Sequence, residues 1–170
     1  MNVFFLDMNP RMAATYMVDR HITKMIVESA QLLSTAHRVL DGDERLKLYD
    51  SRESVLYKVT HRNHPSAIWT RTSIENYLWL VEHQFALLDE YTHRYGKKHK
   101  TGELMYLLQS PPHGLRNYEF TEPPCAMPEE FIISGDSVMN YRQYYRIGKA
   151  SLHSWKNRSK PSWIDQLEKE

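Results

Sequence analysis

The chain has 170 residues, a formal net charge of +1 with neutral histidines, and four Trp, eleven Tyr and five Phe. This length suits one domain with a substantial core, and the balanced charge excludes a global field that attracts nucleic acid, so any basic surface must be local. The single cysteine excludes a disulfide framework, and no run reaches the roughly 20 apolar residues that span a bilayer, so we expect a cytoplasmic protein with no membrane partner.

The first predicted elements are a short extended arm and a long helix. Residues Val3–Leu6 form an apolar run rich in aromatics, which predicts a buried strand or extended arm. Asn9 and Pro10 have the residue types of an N-cap and a first helical position. We therefore predict a helix that begins at Pro10 and continues to about Leu40.

The middle of the chain holds a second long predicted helix. Residues 44–57 are charged and mixed and indicate at most a short helix, and residues 60–65 indicate a loop. His64 precedes a proline and is biased towards extended backbone, so the helix begins at Pro65. It continues to Tyr95, and Gly96 is the residue type expected just past a helix end.

The C-terminal part combines an irregular segment, a last helix and a tail. Residues 110–128 contain five prolines, and loops of that length in compact domains are often functional. Asp136 is predicted to cap a helix that continues to about Asn157, and residues 158–170 form a tail. The whole pattern predicts a mainly α protein: one compact domain over residues 1–170, with three long helices, short ones and an N-terminal extended arm.

His21, Lys24 and Glu28 form the cluster best suited to chemistry. They share one stripe of the first predicted helix, because seven residues make about two helical turns. Apolar neighbours such as Ile22 and Met25 indicate that this stripe borders the core, where unpaired charges are costly. A glutamate beside a lysine and a histidine is suited to acid–base catalysis. The same spacing also fits a structural network with a Lys24–Glu28 ion pair.

A second polar group precedes the second predicted helix. His61 and His64 have a spacing at which two histidines can bind a metal ion together with Glu28 or Asp19. The same histidines, with Arg62 and Asn63, are also suited to holding a phosphate at a helix start. We favour the phosphate and predict neither a metal nor a cofactor.

The last predicted helix carries a continuous cationic stripe. Five basic residues recur there at spacings of four, three, four and three: Arg142, Arg146, Lys149, His153 and Lys156. A basic ridge with aromatic side chains nearby suits a phosphate backbone with an exposed base. We therefore predict nucleic-acid contacts from Arg142, Arg146, Lys149, Lys156 and Trp163, together with Arg71 and Asn76 of the second helix.

These pieces together resemble the pyrimidine-dimer DNA glycosylase family, small helical repair enzymes first known from a bacteriophage. In that family an early helix carries a histidine seven residues before the catalytic glutamate, as His21 and Glu28 do here. Residues 63–96 are similar to the family's later long helix, and residues 158–163 to its basic-Pro-x-Trp ending. Asp19-x-His21 and Asn63-His64-Pro65-x-x-x-Trp69 also resemble elements of uncharacterised tailed-phage proteins.

The resemblance implies a base-flipping enzyme that cleaves the N-glycosidic bond of a modified or damaged pyrimidine in duplex DNA. It implies that Glu28 is the acid or base, that His21 with Arg20 or Lys24 holds phosphate, and that the N-terminal amine forms an imine with the sugar. The family exposes its amine by removing the initiator Met before a small residue. Asn2 is large, so we expect Met1 to stay and its own amine to react.

That expectation requires the Val3–Leu6 arm to fold back towards Glu28. If it does not, hydrolysis by Glu28 and water remains, without lyase activity. Two other functions fit the same sequence. A non-catalytic phage accessory module could bind nucleic acid or protein through the last-helix cations. A metal-dependent enzyme on nucleotides would use as ligands His21, Glu28, His61 and His64. The working hypothesis is a phage-type DNA base-processing enzyme in the host cell interior.

Overall fold

A computed structural model describes residues 1–166, and over that range the chain is mainly helical, as the sequence predicts. Within it there is no strand, and the six α-helices are α1 (Pro10–Tyr16), α2 (Asp19–Asp41), α3 (Pro65–Thr70), α4 (Ile74–Tyr95), α5 (Met105–Leu108) and α6 (Ser137–Gln143). None of these helices is both long and apolar enough to cross a membrane. Residues 44–57 and 110–128 contain no helix. Of the predicted tail, residues 167–170 lie outside the described part of the chain.

The N-terminal arm, Val3–Leu6, is part of the core. Its four side chains are at most 4% exposed. The ring of Phe5 packs against Trp79 of α4 with the centroids 4.9 Å apart, and the ring of Phe4 stacks on His21 of α2 at 4.4 Å. The arm thus packs on α2, which follows it closely in sequence, and on α4, which lies more than 60 residues later. Burial of this apolar run fixes the start of the chain inside the molecule.

The single helix predicted for residues 10–40 is wrong, because Met17 and Val18 are extended and separate α1 from α2. The carbonyls of Thr15 and Met17, which lack helical partners at the end of α1, accept hydrogen bonds from the Arg94 guanidinium of α4. The Val18 N–H donates to the Tyr145 hydroxyl at 3.3 Å. Side chains from far along the chain thus replace the helical hydrogen bonds that are lost at the break.

The second predicted helix is also interrupted. It begins at Pro65 and ends at Tyr95 as predicted, but residues 71–73 separate α3 from α4. Ser73 caps α4, because its hydroxyl accepts a hydrogen bond from the Asn76 N–H at 3.1 Å. The Ile74 N–H donates outside the helix, to the Asn117 carbonyl at 2.7 Å.

The last predicted helix is much shorter than expected. Asp136 caps it as predicted, but α6 ends at Gln143, and a π-helical turn follows over Tyr144–Gly148. Tyr141 and Tyr145, four residues apart and so on one side of the helical segment, are fully buried. Short 3-10 turns account for the other helical segments: Lys100–Leu104, Glu129–Phe131, Ala150–Leu152 and Ser162–Asp165. The fold therefore has two long helices, α2 and α4, where the sequence pattern indicated three.

Candidate active site

The start of the chain and Glu28 of α2 come together. The Glu28 side chain is 14% exposed, and its Oε2 accepts a hydrogen bond from the Asn2 backbone N–H at 3.1 Å. The same Oε2 lies 4.0 Å from the Met1 amine, and Oε1 lies 3.5 Å from the Nζ of Lys24, one turn earlier on α2. The arm thus folds back towards Glu28, and the Met1 amine and the Lys24 side chain both lie next to the Glu28 carboxylate.

His64 and His61 lie beside this group. The Nδ1 of His64 accepts a hydrogen bond from the Ser66 N–H at 3.1 Å and caps α3, so in the neutral ring Nε2 carries the proton. Burial lowers the pKa of His64, and the positive charges of the Met1 amine and His61 lower it further, while Glu28 opposes them. His61 has a left-handed backbone (φ 46°), and its Nδ1 lies 2.6 Å from the Thr60 hydroxyl. The helix start therefore adds a neutral N–H donor close to the amine and the acid.

Two arginines form a cationic pair near the same loop. Burial lowers the pKa of Arg71, and so does the positive charge of Arg62, which is exposed. Within residues 1–166, the Nη1 of Arg71 is buried without a hydrogen-bond partner. A buried cationic donor without a partner is costly, and a bound anion offsets that cost through charge-assisted hydrogen bonds. Asn63, next to Arg62, is exposed and open to a ligand.

The predicted phosphate contact by His21 needs correction, because this side chain lies in the core. It is 4% exposed, and its Nδ1 is hydrogen-bonded to the Tyr145 hydroxyl at 2.7 Å, an oxygen that also accepts from the Val18 N–H. Burial, followed by the charges of Lys149, Lys24 and Arg20, lowers the pKa of His21 to about 4. His21 is thus a neutral support under the Phe4 ring. Arg20 and Lys24, by contrast, are exposed on α2.

The cationic stripe predicted for the last helix is not continuous, because α6 ends within it. Arg142 is held by the arm: its Nε donates to the Leu6 carbonyl at 2.8 Å, and its Nη2 pairs with Asp7 at 2.9 Å. Its guanidinium also lies 5.6 Å from the Tyr16 ring and 5.2 Å from the Trp163 ring. Arg142 therefore stabilises the arm; its side chain is 31% exposed, and its contact with nucleic acid stays a prediction.

The other cations of the predicted stripe separate from one another. The Nη2 of Arg146 donates to Gln143 at 2.6 Å, and its Nη1 bonds the Gln166 carbonyl. Lys149 is half-buried with its Nζ over the Tyr144 ring, and Lys156 is exposed with its Nζ over the Tyr95 ring. Two of these cations thus lie over the aromatic rings of different elements, the π-helical turn and α4, and not along one helix.

Asn76 and Trp163 also have structural surroundings. Asn76 is fully buried, and its amide donates to the Trp69 carbonyl and the Thr121 hydroxyl and accepts from the Thr121 N–H. It thereby fastens the irregular 110–128 segment to α4. Trp163 is 9% exposed and packs edge-on against Tyr16. Asn76 is not available to DNA as predicted, because internal hydrogen bonds use its amide fully. Trp163 is withheld from DNA by packing alone, since its Nε1 is buried and has no hydrogen-bond partner within residues 1–166.

The four ligands of the metal hypothesis do not converge. His21 is bonded to Tyr145 in the core, while His61 is exposed at the loop. Over residues 1–166, no three or more His, Cys, Asp or Glu side chains form a group that could hold a metal ion. What the structure does assemble is Met1, Glu28, Lys24 and His64.

The sequence analysis missed two supports of this site. Tyr145 holds His21 and the α1–α2 junction, and the Asn2 side chain is buried at the turn of the arm. Only the helical spacing of Tyr141 and Tyr145 hinted at the first. An asparagine next to Met1 did not signal that its side-chain amide donates to the Ala126 carbonyl, because that acceptor lies 124 residues away in the sequence.

Comparison with known proteins gives one match. A family model described as pyrimidine dimer DNA glycosylase matches residues 1–103, which is more than half of the 170-residue chain. That range includes Met1, Glu28 and His64, and it ends before the segment that contains α6. No curated protein and no solved structure matches the chain.

Proposed function

Since the chain belongs to the pyrimidine dimer DNA glycosylase family, whose substrate is DNA, we propose that it cleaves the N-glycosidic bond of a modified or damaged pyrimidine in duplex DNA. The observation that carries this proposal is the 4.0 Å approach of the Met1 amine to Glu28. An amine nucleophile next to a carboxylate is the pairing that imine chemistry at a sugar carbon requires. The arm and α2 are both rigidly packed, so the pair is held in place before substrate binds.

The proposed reaction begins when the neutral Met1 amine attacks C1′ of the damaged nucleotide. A bond forms between the nitrogen and C1′ as the bond from C1′ to the base breaks, and the base leaves with the bonding electrons and takes up a proton. Glu28 accepts the proton that the attacking nitrogen loses and returns it to the sugar ring oxygen as the ring opens. The product is an imine between the protein and the DNA. Lys24 orients the carboxylate from its other oxygen.

We propose that DNA is held by the loop before α3. Arg62, Asn63 and His61 are exposed and supply direct contacts together with the half-buried His64, while Arg71, whose Nη1 is buried, adds positive charge behind them. Such groups position a phosphate without reading sequence. A base in a duplex must be flipped out to reach the amine, and a damaged base costs less to unstack. His64, at the end of this loop, is close enough to the Met1 amine for the amine's charge to lower its pKa, so a phosphate held here would bring the neighbouring sugar towards Met1.

The direct test uses a duplex oligonucleotide with a single cyclobutane pyrimidine dimer, alongside duplexes with other damaged pyrimidines. Cleavage is measured as abasic sites, because the freed base of a cyclobutane dimer stays attached to the neighbouring pyrimidine. Glu28→Gln keeps the shape of the side chain but removes its proton transfer, so we expect N-glycosidic cleavage to fall about 10²–10⁴-fold while DNA binding persists. The matched control is Glu82→Gln, at an exposed glutamate of α4, which should leave the rate unchanged. Equal cleavage by Glu28→Gln and wild type would contradict the proposal.

Borohydride distinguishes the amine mechanism from hydrolysis. Hydride reduces an imine to a stable secondary amine, so the wild-type protein should become covalently linked to its DNA, and mass spectrometry should locate the link at Met1. N-glycosidic cleavage without a trapped protein would indicate a monofunctional enzyme that uses Glu28 and water. A protein that binds these duplexes but forms abasic sites in none of them would instead be a binding module.

A further inference from the structure

The side chain of Asn2 uses all of its polar atoms inside the molecule. Its Nδ2 donates to the Ala126 carbonyl at 2.8 Å. Its Oδ1 accepts from the backbone N–H groups of Val3 at 2.7 Å and Phe4 at 3.0 Å, while its own backbone N–H donates to Glu28. One residue thus connects the catalytic carboxylate, the turn of the arm and a distant loop.

These hydrogen bonds set the direction in which the chain begins. Phe4 has a left-handed backbone (φ 54°), which is unfavourable for a bulky residue and persists only where surrounding contacts enforce it. The Asn2 carboxamide bonds both N–H groups of the turn that leads into Phe4, and the Phe4 ring is fixed on His21 at 4.4 Å. The turn sends residues 3–6 into the core and leaves Met1 beside Glu28.

The partner of Asn2 is itself fixed from α6. Tyr141 is fully buried, and its hydroxyl donates to the Pro124 carbonyl at 2.8 Å and accepts from the Ala126 N–H at 3.2 Å. This clamps the backbone on both sides of Cys125 and holds the Ala126 carbonyl towards Asn2. The loop and α6 lie outside residues 1–103, the part of the chain that the family match covers. The irregular 110–128 segment therefore supports the start of the chain next to Glu28.

We propose that Asn2 is a positioning residue that, through the Ala126 carbonyl and the Tyr141 clamp, places the Met1 amine for attack. The size of Asn2 contributes as well, because a large second residue keeps the initiator Met on the chain. This inference rests on the proposed amine mechanism. It assigns the C-terminal part of the protein to support of the nucleophile.

The experiment compares wild type with Asn2→Leu, which is similar in volume, keeps Met1 and lacks the three side-chain hydrogen bonds. We expect the single-turnover rate of borohydride trapping on dimer-containing duplex to fall about tenfold to a hundredfold, because small displacements of a reacting group are that costly. The Kd for the same duplex should change by less than about threefold, which separates positioning from general damage to the fold. Intact mass confirms that Met1 is retained, and Asn117→Leu, at an exposed site, is the matched control.

Tyr141→Phe provides a second variant if Asn2→Leu does not fold. It leaves Asn2 unchanged but removes the hydrogen bonds of the Tyr141 hydroxyl to Pro124 and Ala126. It should also lower the trapping rate by about tenfold without a matching change in Kd. Tyr118→Phe, at a tyrosine that is 69% exposed, is its control. Trapping within about twofold of wild type in a folded variant would overturn the role of Asn2. An absence of trapping by the wild-type protein would instead contradict the amine mechanism itself.

Discussion

Replacement of Arg94 by Met should destabilise the protein strongly. The Arg94 side chain has no exposed surface, and its guanidinium donates to the Met17 and Thr15 carbonyls and pairs with Asp19 at 2.9 Å and Glu90 at 3.0 Å. Met keeps most of the apolar stem but none of these donors. Two carbonyls at the α1–α2 break and two largely buried carboxylates would lose a partner at the same time.

The magnitude follows from what remains after the substitution. Removal of one partner from a buried ion pair costs about 3–5 kcal/mol, because the other charge is left uncompensated. Asp19 keeps hydrogen bonds from Ser154 and Lys156, and Glu90 keeps its pair with Arg158, which place the cost at the lower end. We expect a loss of about 3 kcal/mol in the free energy of unfolding, and a Tm about 6–12 °C lower for a chain of this size.

Urea unfolding and calorimetry measure these quantities directly. The matched control is Arg11→Met, because Arg11 and Asp89 form an exposed pair at 3.6 Å that contributes less than about 0.5 kcal/mol. The difference between the two variants isolates the effect of burial. A loss below about 1 kcal/mol in Arg94→Met would show that the α1–α2 junction does not depend on α4, and would refute the explanation given above for the break.

Two further predictions concern buried polar side chains. Burial is the largest cause that lowers the pKa of His21, His37 and His83 from the ordinary 6.5 to about 4. As the pH falls, these histidines therefore bind protons in the unfolded chain before they do so in the folded protein. The free energy of unfolding should therefore fall between about pH 6.5 and pH 4, by up to about 1.4 kcal/mol per pH unit for each histidine. Urea unfolding measures this free energy, and equal values at pH 7 and pH 5 would contradict the prediction. Asn76→Ala removes three buried hydrogen bonds, so the free energy of unfolding should fall by about 2–4 kcal/mol. Limited proteolysis should then cleave the chain within residues 110–128. If the variant resists cleavage and keeps wild-type stability, Asn76 does not fasten that segment.

The helix starts and ends that were predicted correctly share a local cause. Asn9 accepts hydrogen bonds from the N–H groups of residues 11 and 12, and Asp136 from that of Met139. His64 caps α3 just before Pro65, and Gly96 ends α4 with φ 67°. Each of these signals involves residues within four positions of one another, so the sequence displays both partners together.

The errors share the opposite cause. The break at Met17 and Val18 is stabilised by Arg94 and Tyr145, which are at least 75 residues away in sequence, and no local residue marks it. The apolar periodicity also continues across the break, since both α1 and α2 pack on α4. The break before α4 is different. Ser73, three residues before Asn76, is an N-cap signal that the sequence did contain.

For the candidate site, the sequence by itself determined that His21, Lys24 and Glu28 share a helix, because helical spacing alone fixes which side chains are neighbours. Only the tertiary structure decided their different surroundings: His21 is buried under Phe4, and Glu28 is next to the Met1 amine. The physical reason is that the arm is placed by contacts across the whole chain, from Asn2 to Ala126 and from Leu6 to Arg142. Such contacts depend on packing in three dimensions, and residue spacing along the chain carries no record of them.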